Sequence, residues 1–513
     1  MNSKNRFIGF IKSIGYNVKN YQVNGFEWCY NREKTGGGLL CYEMGLGKTI
    51  LMLSCIKLNP KIRTLIVLPK ALISQWVEKV RAILNIEPYL YTSSLKFKNM
   101  DSNTVMRILN SQSVIITSYG MITERAYKGR NILSPLWKIK WSRVIYDEAH
   151  NMRNSYSKLY MGAMKINSEI YWMMTGTPIQ NRWGDVVSLC MLSKIKPLID
   201  GIKSRSTEKM ITLLKHYMLY NTKKNVNIKM PKLNLHIHKI PFKNQEKDIS
   251  EDIHEKLDLV CLNTTREKTD LLKYMHDSWF AYACRAKQVC IYPKLLKKCV
   301  DNYLNDNDND DEMNSLDESR DKLKLPNFNS LDNSKIRYLI QLINKSDRTK
   351  KKIIFCSYTN EAIRIKQLLS SHYCIGILNG STTKNMRRVL LTNKNIDVLI
   401  IQIQCGSDGL NLQHYQEIYF TSPHWNPAVE QQAIGRIYRI GQKSESVDIH
   451  SLVSEFDVET GKTIDEYCLE VQKKKQVIIN QLFDSVKNDK NTSFNLKNKK
   501  KKKLKIVEKY SKK

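Results

Sequence analysis

Leu39–Leu58 reads LLCYEMGLGKTILMLSCIKL: an apolar run, a loop holding two glycines, then a longer apolar run. The first run suits a strand and the second a helix that opens at Lys48 and Thr49. A strand, a glycine loop and a helix in immediate succession are the setting of a phosphate-binding loop. Gly45 and Gly47 let backbone N–H groups face an anion, Lys48 can reach the outer phosphates of a nucleotide, and Thr49 offers a hydroxyl to Mg2+. One letter departs from G-x-x-x-x-G-K-[ST]: Tyr42 stands where the opening glycine belongs. Alone, the loop leaves two readings open, a nucleotide cradle and a glycine turn that happens to precede a lysine.

VIYDEAH, Val144–His150, decides between them. An apolar strand that ends in two acids, downstream of a Lys-Thr loop, is the arrangement of phosphoryl-transfer ATPases. Asp147 would hold Mg2+ through water and Glu148 would polarise the attacking water. An acidic strand end is common by itself; the two features together, in this order, are far rarer.

Working outward, short β-rich runs recur: RTLIVLP, SVIITSY, RVIYD and EIYWMMTGTP, then KKIIFCSY, DVLIIQIQ, EIYFTSP and VDIHSLV. Unbroken apolar strands suit parallel sheets covered on both faces. Helical stretches separate them. In SKIRYLIQLINK, Ile336, Leu339, Ile340 and Ile343 share one helix face, with Ser334 as the expected N-cap. The alternation predicts an α/β fold in two blocks. The expected boundaries are a first lobe over 1–185, a mainly helical insertion over 186–300, an acidic linker over 301–330, a second lobe over 331–485 and a lysine-rich disordered tail over 486–513. The linker assignment rests on 301–321, where nine acids meet one arginine and few apolar residues, too little to bury a core.

The formal charge is +34, of which the stretch 495–513, with ten lysines and one glutamate, supplies +9. The +25 left on the body points to a polyanionic partner, nucleic acid first and an anionic membrane surface second. The twelve cysteines form no C-x-x-C pair, which argues against zinc modules and disulfide frameworks. The N-terminal stretch lacks a signal-peptide core and no apolar run reaches membrane-span length. The expectation is a soluble, intracellular protein.

With these residues in place, the sequence resembles the Swi/Snf-type DNA-dependent ATPases of helicase superfamily two, from Tyr21 to about Val453. YQVNGFEW resembles the glutamine motif, which implies that Gln22 contacts adenine. EMGLGKT matches the family's phosphate loop, implying nucleotide contacts from Glu43, Met44, Gly45, Leu46, Gly47, Lys48 and Thr49; aspartate, not glycine, usually holds the place of Tyr42 there. LIVLPKALISQW and IITSYGM resemble motifs Ia and Ib, and imply a nucleic-acid track through Pro69, Trp76, Thr117, Ser118 and Tyr119. DEAH is motif II. MTGTPIQN is motif III, where Thr175, Gly176, Thr177, Gln180 and Asn181 would couple nucleotide to DNA. MPKLNLHIHKIPF resembles a strand that crosses back after the first helices, so His236 and His238 read as strand residues rather than metal ligands. CRAKQVCIYP resembles the helix before the second lobe, with Cys290 structural.

KKIIFCSYTNEA matches motif IV, and QCGSDGLNLQ matches motif V with Asp408, Gly409, Asn411 and Leu412 retained. HWNPAVEQQAIGRIYRIGQ is motif VI, with Trp425 on the nucleic-acid side and Gln432 and Gln442 in the family pattern. Arg436 and Arg439, three apart, are expected on one helix face, aimed at the γ-phosphate of ATP. The resemblance thus implies two RecA-like lobes, ATP and Mg2+ as cofactors, catalysis by Lys48, Asp147, Glu148, Arg436 and Arg439, and a monomeric motor that moves on double-stranded DNA. It also implies nuclear work in transcription, repair or chromatin remodelling. The motif VI wording lies near the lodestar-type and repair-translocase branch; the Asn, Lys and Ile enrichment suggests an A/T-rich genome, and a compact motor without reader modules would suit a large DNA virus, with a viral factory or virion as the compartment. Transcription or repair proteins would be the protein partners. A strand-separating DNA or RNA helicase and a catalytically dead nucleic-acid-binding scaffold stand as the alternatives.

Overall fold

The apolar runs become strands buried on both faces, and each is followed by a turn or helix that begins at the same edge of its sheet. The structure, a computed structural model, describes residues 2–92, 102–127, 130–228, 230–260, 278–298, 300–301, 331, 333–406, 410–457 and 459–487. The chain divides into two compact units, Met1–Ile228 with Lys475–Lys513, and Lys229–Lys474.

The first unit holds β1 (Gly37–Tyr42), β2 (Thr64–Leu68), β3 (Tyr89–Tyr91), β4 (Val114–Ser118), an antiparallel pair β5 (Arg125–Tyr127) and β6 (Arg130–Ile132), β7 (Lys140–Asp147), β8 (Asn167–Met174) and β9 (Met218–Asn221). Seven of these form one parallel sheet in the order β3-β4-β2-β7-β8-β1-β9. The order matters for the chemistry. Because β8 lies between β1 and β7, the loops leaving these three strands emerge side by side at the carboxyl edge, the usual ligand edge of an open parallel sheet. The register brings Leu40 and Asp147 level with the same residue, Met174.

In the second unit β10 (Lys232–Pro241), β11 (Lys352–Cys356), β12 (Ile375–Leu378), β13 (Val398–Gln402), β14 (Glu417–Phe420) and β15 (Ser446–Glu455) form a six-stranded parallel sheet in the order β10-β15-β14-β11-β13-β12. Every strand expected from the quoted runs is present, in two parallel α/β sheets.

The units divide elsewhere than at the expected boundaries. The helices Gly184–Leu192, Lys196–Lys203 and Thr207–Tyr217 and strand β9 count with the first unit, whose sheet β9 extends beyond β1. β10 and the helices Asn244–Glu255 and Trp279–Ile291 count with the second. The helix Ile464–Lys487 starts in the second unit, but from Lys475 it counts with the first, where Phe483 stacks on Tyr220 with ring centroids 3.7 Å apart.

In the helix Ser334–Lys345, Ile336, Leu339 and Ile343 are buried and Ile340 is partly buried, but the N-cap is Asn333, not Ser334. Ser334 is drawn into the first turn by Glu246, whose carboxylate accepts its hydroxyl at 2.6 Å and its backbone N–H at 3.3 Å. The acidic stretch 302–330 and residues 488–513 of the tail lie outside the described residues, as do Asp408 and Gly409.

Candidate nucleotide site

β1 ends at Tyr42, and the chain then turns through Gly45 (φ 91°) and Gly47 (φ 90°) into the helix Lys48–Leu58. Both glycines occupy the left-handed region, where a Cβ is strained. At Gly47 an added Cβ would also lie 2.5 Å from Nε2 of Gln22, so the glutamine amide would have to move aside. Gln22 is buried in the helix Asn20–Arg32 and donates from Nε2 to the Leu46 carbonyl at 3.3 Å. Lys48 leans back across the loop, its Nζ donating to the Tyr42 carbonyl at 2.7 Å. Thr49 follows in the first turn of the helix.

Tyr42 explains the missing glycine. It is a strand residue, fully buried, and its phenol donates to the Tyr21 carbonyl at 3.1 Å. Gly25 supplies the room: an added Cβ there would stand 2.3 Å from the Tyr42 hydroxyl oxygen. The tyrosine therefore ties the glutamine-bearing helix to the loop's entry. Glu43 has a similar task, its carboxylate accepting from the Lys223 backbone N–H at 2.8 Å and lying 3.0 Å from Lys223 Nζ. Leu46 is fully buried, so its contribution to an anion is its backbone.

At the end of β7, Asp147 has both oxygens engaged. Oδ2 accepts from the Trp76 indole at 2.8 Å and Oδ1 from the Glu148 backbone N–H at 3.0 Å. Burial, together with the Glu148 charge, pushes the Asp147 carboxyl up to about 6, while Lys48 and the Trp76 hydrogen bond pull it back. Glu148 is itself in the left-handed region (φ 51°), a costly conformation for a residue with a side chain. It swings the chain so that His150 Nδ1 reaches Thr175 Oγ1 at 3.0 Å, with Glu148 Oε2 3.5 Å away.

Thr175 opens the loop after β8. Its Oγ1 also accepts from the Thr177 backbone N–H at 3.1 Å, and Gln180 Nε2 donates to Thr177 Oγ1 at 3.3 Å. Asp185 gathers the following turn, accepting from the backbone N–H groups of Gln180, Asn181 and Arg182. An added Cβ on Gly176 would stand 3.6 Å from both Lys48 Nζ and the Met44 nitrogen. The acid pair and the Thr175–Asn181 loop are thus joined through His150 and Thr175, and Gly176 lies close beside Lys48 and Met44.

The expected nucleic-acid track divides. Pro69, Ser118, Gly176 and Trp425 are partly exposed and Asn181 is exposed. Trp76, Thr117 and Thr175 are buried with their polar atoms paired, Thr117 Oγ1 donating to the Tyr91 carbonyl at 2.6 Å. Tyr119 is buried too, and donates to the Asp147 carbonyl at 2.7 Å. Trp76, Thr117, Thr175 and Tyr119 thus have their polar atoms turned inward, onto the strand ends and loops of the first unit. His150, Asp185 and Lys223 are site residues that the motifs did not single out; the hydrophilic letters of DEAH and the turn-forming NRWGD were the available signals.

In the second unit, Gln432 and Arg436 are buried on the helix Pro427–Ile437. The expectation of two arginines on one helix face is corrected here. The helix ends at Ile437, and Arg439 lies in the turn beyond it. The helix stops because Leu412 N–H takes the Arg436 carbonyl at 3.2 Å and the Gln442 side chain donates to the carbonyls of Tyr415 and Ile437. The two guanidiniums nonetheless feel each other: burial, and then the Arg436 charge, lower the Arg439 side chain from its usual value. Trp425 lies among Trp279 and Tyr467, with Lys287 over its ring at 5.5 Å. Cys290 is buried, its sulfur 3.8 Å from His254 Nε2, while His236 and His238 line β10 beside His450.

Two parallel α/β sheets, one of them carrying a lysine loop beside a strand-terminal acid pair, define a nucleotide-hydrolysing enzyme of the two-lobed helicase class. Residues 21–295 match the SNF2-related domain and residues 334–441 the helicase conserved C-terminal domain. The chain belongs to the SNF2-related family, and so to the nucleic-acid-dependent ATPases of superfamily two.

It is 24% identical to a probable global transactivator of Orgyia pseudotsugata multicapsid polyhedrosis virus, over 91% of this chain and 92% of that one. It is 25% identical to the bovine DNA excision repair protein ERCC-6-like, over 91% of this chain and 42% of the relative. The ATP-dependent helicase fft1 of Schizosaccharomyces pombe is 25% identical, over 87% and 51%. The chain thus spans nearly the whole viral relative but about half or less of these cellular ones. A solved SWI2/SNF2 ATPase core of Sulfolobus solfataricus, in complex with dsDNA, is similar over 86% of this chain at 19% identity and a TM-score of 0.37.

Proposed function

We propose that the chain hydrolyses ATP with Mg2+ on stimulation by double-stranded DNA, and uses the cycle to translocate along the duplex. The observation that carries this is the contact chain from Lys48 and Tyr42, through Gly176, to Thr175, His150 and Glu148. It supports a loop that reports the state of the phosphates to the rest of the first unit. Gln22 would hold the base, and Gly45, Gly47 and Lys48 the phosphates. Thr49 and Asp147 would hold Mg2+, which supplies charge neutralisation on the transferred phosphoryl group. The donor set fits that ion: one hydroxyl and one carboxylate, the latter fixed by two hydrogen bonds. Glu148 would orient the attacking water. Arg436 and Arg439 would act on the outer phosphate, a role worth about 10³–10⁵ in rate for arginine fingers. Pro69, Ser118, Asn181 and Trp425, with Asp408 and Gly409, are the residues we assign to DNA.

The body's charge of +25 supports a polyanionic track. Transcription, repair or genome handling is the process this activity would serve, with nuclear or viral-factory residence.

ATP turnover measured without polymer and with duplex DNA, single-stranded DNA and RNA tests the proposal. The expected result is strongest stimulation by duplex, abolished in Lys48→Ala and Glu148→Gln while DNA binding persists. Undiminished turnover in Lys48→Ala would overturn it. Unwinding of a duplex without displacement of a triplex strand would replace translocation with strand separation.

A further inference from the structure

The second unit holds a cavity of about 680 Å³ that none of the nucleotide or DNA residues above line. One wall is the short turn Pro293–Leu296 and the residues after it; the other is the helix Thr359–Leu369. Lys294, Lys297 and Lys298 bring three ammonium groups from the first wall and Arg364 a guanidinium from the second; among the described residues the lining holds one acid, Asp301. Three carboxamides, those of Asn333, Asn360 and Gln367, and the phenol of Tyr292 add to the polar lining. Like charges gathered on one hollow repel unless an anion joins them. Arg364 adds a second sign: its Nε is shut off from solvent with no hydrogen-bond partner among the described residues. A shielded donor of that kind costs free energy until something accepts from it.

The shape limits the ligand. A volume of this size suits a small molecule, since such pockets run to about 300–1,000 Å³. The lining lysines are exposed, so the hollow opens to solvent and a ligand can enter from outside. We propose that this cavity binds a small anion bearing several phosphates, with Arg364 as the oriented clamp, the three lysines as point charges and the carboxamides on the remaining oxygens. The site is separate from the nucleotide loop in sequence and lies wholly in the second unit. It would make the chain responsive to a soluble polyphosphate as well as to its substrate.

Titration calorimetry of the full chain with inositol hexakisphosphate in 0.15 M salt is the test. One saturable site per chain is expected, weakened at least tenfold by Arg364→Ala, less by Arg364→Lys, and unchanged by Lys48→Ala. Absence of saturable binding, or equal binding by Arg364→Ala, overturns the proposal, because a chain of this charge attracts any polyanion weakly. Arg364→Lys guards against a folding artefact, and both variants are compared with the native chain by thermal melting. If Arg364→Ala weakens only a short duplex, the cavity grips nucleic-acid backbone and the small-ligand assignment falls. If the probe binds only after Asp306, Asp308, Asp310, Asp311 and Glu312 are neutralised, the chain's own acids are the occupant and the proposal falls as well.

Discussion

The second unit should be acid-labile through one buried histidine. His254 lies on the helix Asn244–Glu255, fully enclosed, with both ring nitrogens committed. Nδ1 donates to the Ser250 carbonyl at 2.6 Å, and Nε2 accepts the Ile464 backbone N–H at 2.9 Å. Only the neutral ring with its proton on Nδ1 satisfies both. A second proton on Nε2 would meet the Ile464 N–H head-on and place a charge among Ile249, Val289 and Phe456. Burial accordingly lowers His254 to about 4, only partly offset by the Ser250 bond and the Asp465 charge.

The unfolded ring takes its proton near pH 6.5, so between the two values the unfolded chain binds more protons and stability must rise with pH. The contribution is fully present above pH 6.5 and is lost as pH falls towards 4. Between pH 7 and pH 5 the loss works out at about 2 kcal/mol. For a unit of this size that is about 4–8 °C in melting temperature. His450, also lowered to about 4 by burial and by His236 and His238, acts in the same direction, but its partial exposure shrinks its share. The assay is therefore a difference: melting of the native chain and of His254→Gln at pH 7 and pH 5. The variant should be less stable at pH 7, having lost one of two hydrogen bonds, yet lose about 2 kcal/mol less on acidification. Equal acid sensitivity in both proteins would refute the reasoning.

Arg143→Met should cost the first unit about 3–5 kcal/mol by leaving Glu33 charged and unpaired in a site where both side chains are wholly buried, and adding Glu33→Leu should recover most of it; urea unfolding of the single and double variants measures this. Gly47→Ala should weaken nucleotide binding at least tenfold, since the new methyl group meets Gln22 Nε2 in a backbone conformation that already disfavours it; fluorescent-nucleotide titration reads the loss. Trp76→Phe removes the indole that stabilises the Asp147 anion, so the acid limb of the ATPase pH profile should move to higher pH while duplex affinity stays within twofold.

The two sheets were legible because a parallel strand buried on both faces is a continuous apolar run, and nothing else in a short segment reads that way. The motif letters likewise marked residues that the loops after β1, β7 and β8 bring together, since a glycine pair before Lys-Thr and an acid pair after a strand have few other uses. What the sequence did not show is contact across distance. Glu33 and Arg143 are 110 positions apart, and no local pattern foretells that Trp172 and Asn59 also donate to the same carboxylate. The second half of the helix Ile464–Lys487 is another case. The expected second lobe ran to 485, whereas Phe483 and Ile479 pack into the core of the first unit and Phe483 stacks on Tyr220. Arg439 escaped for a local reason: spacing alone continues a helix that the claim of Leu412 on the Arg436 carbonyl ends.

The departures from pattern are the more instructive part. Tyr42 breaks the phosphate-loop formula, but the position it fills is the last residue of a strand, with no left-handed backbone to accommodate. The formula's first glycine is not what cradles phosphate here. A large side chain is then free to do other work, and the one present reaches Tyr21 through the gap left at Gly25. Trp76 and Tyr119 follow the same logic from the opposite side. Their motifs are associated with a nucleic-acid track, yet their polar atoms end on the Asp147 carboxylate and carbonyl. The helix Ile73–Leu84, which follows β2, and the turn that follows β4 therefore share hydrogen bonds with the residue that would hold the metal ion. A shift of that helix or of that turn must move Asp147 or break a buried bond. A polymer that bound at this edge would thereby have a physical route to Asp147.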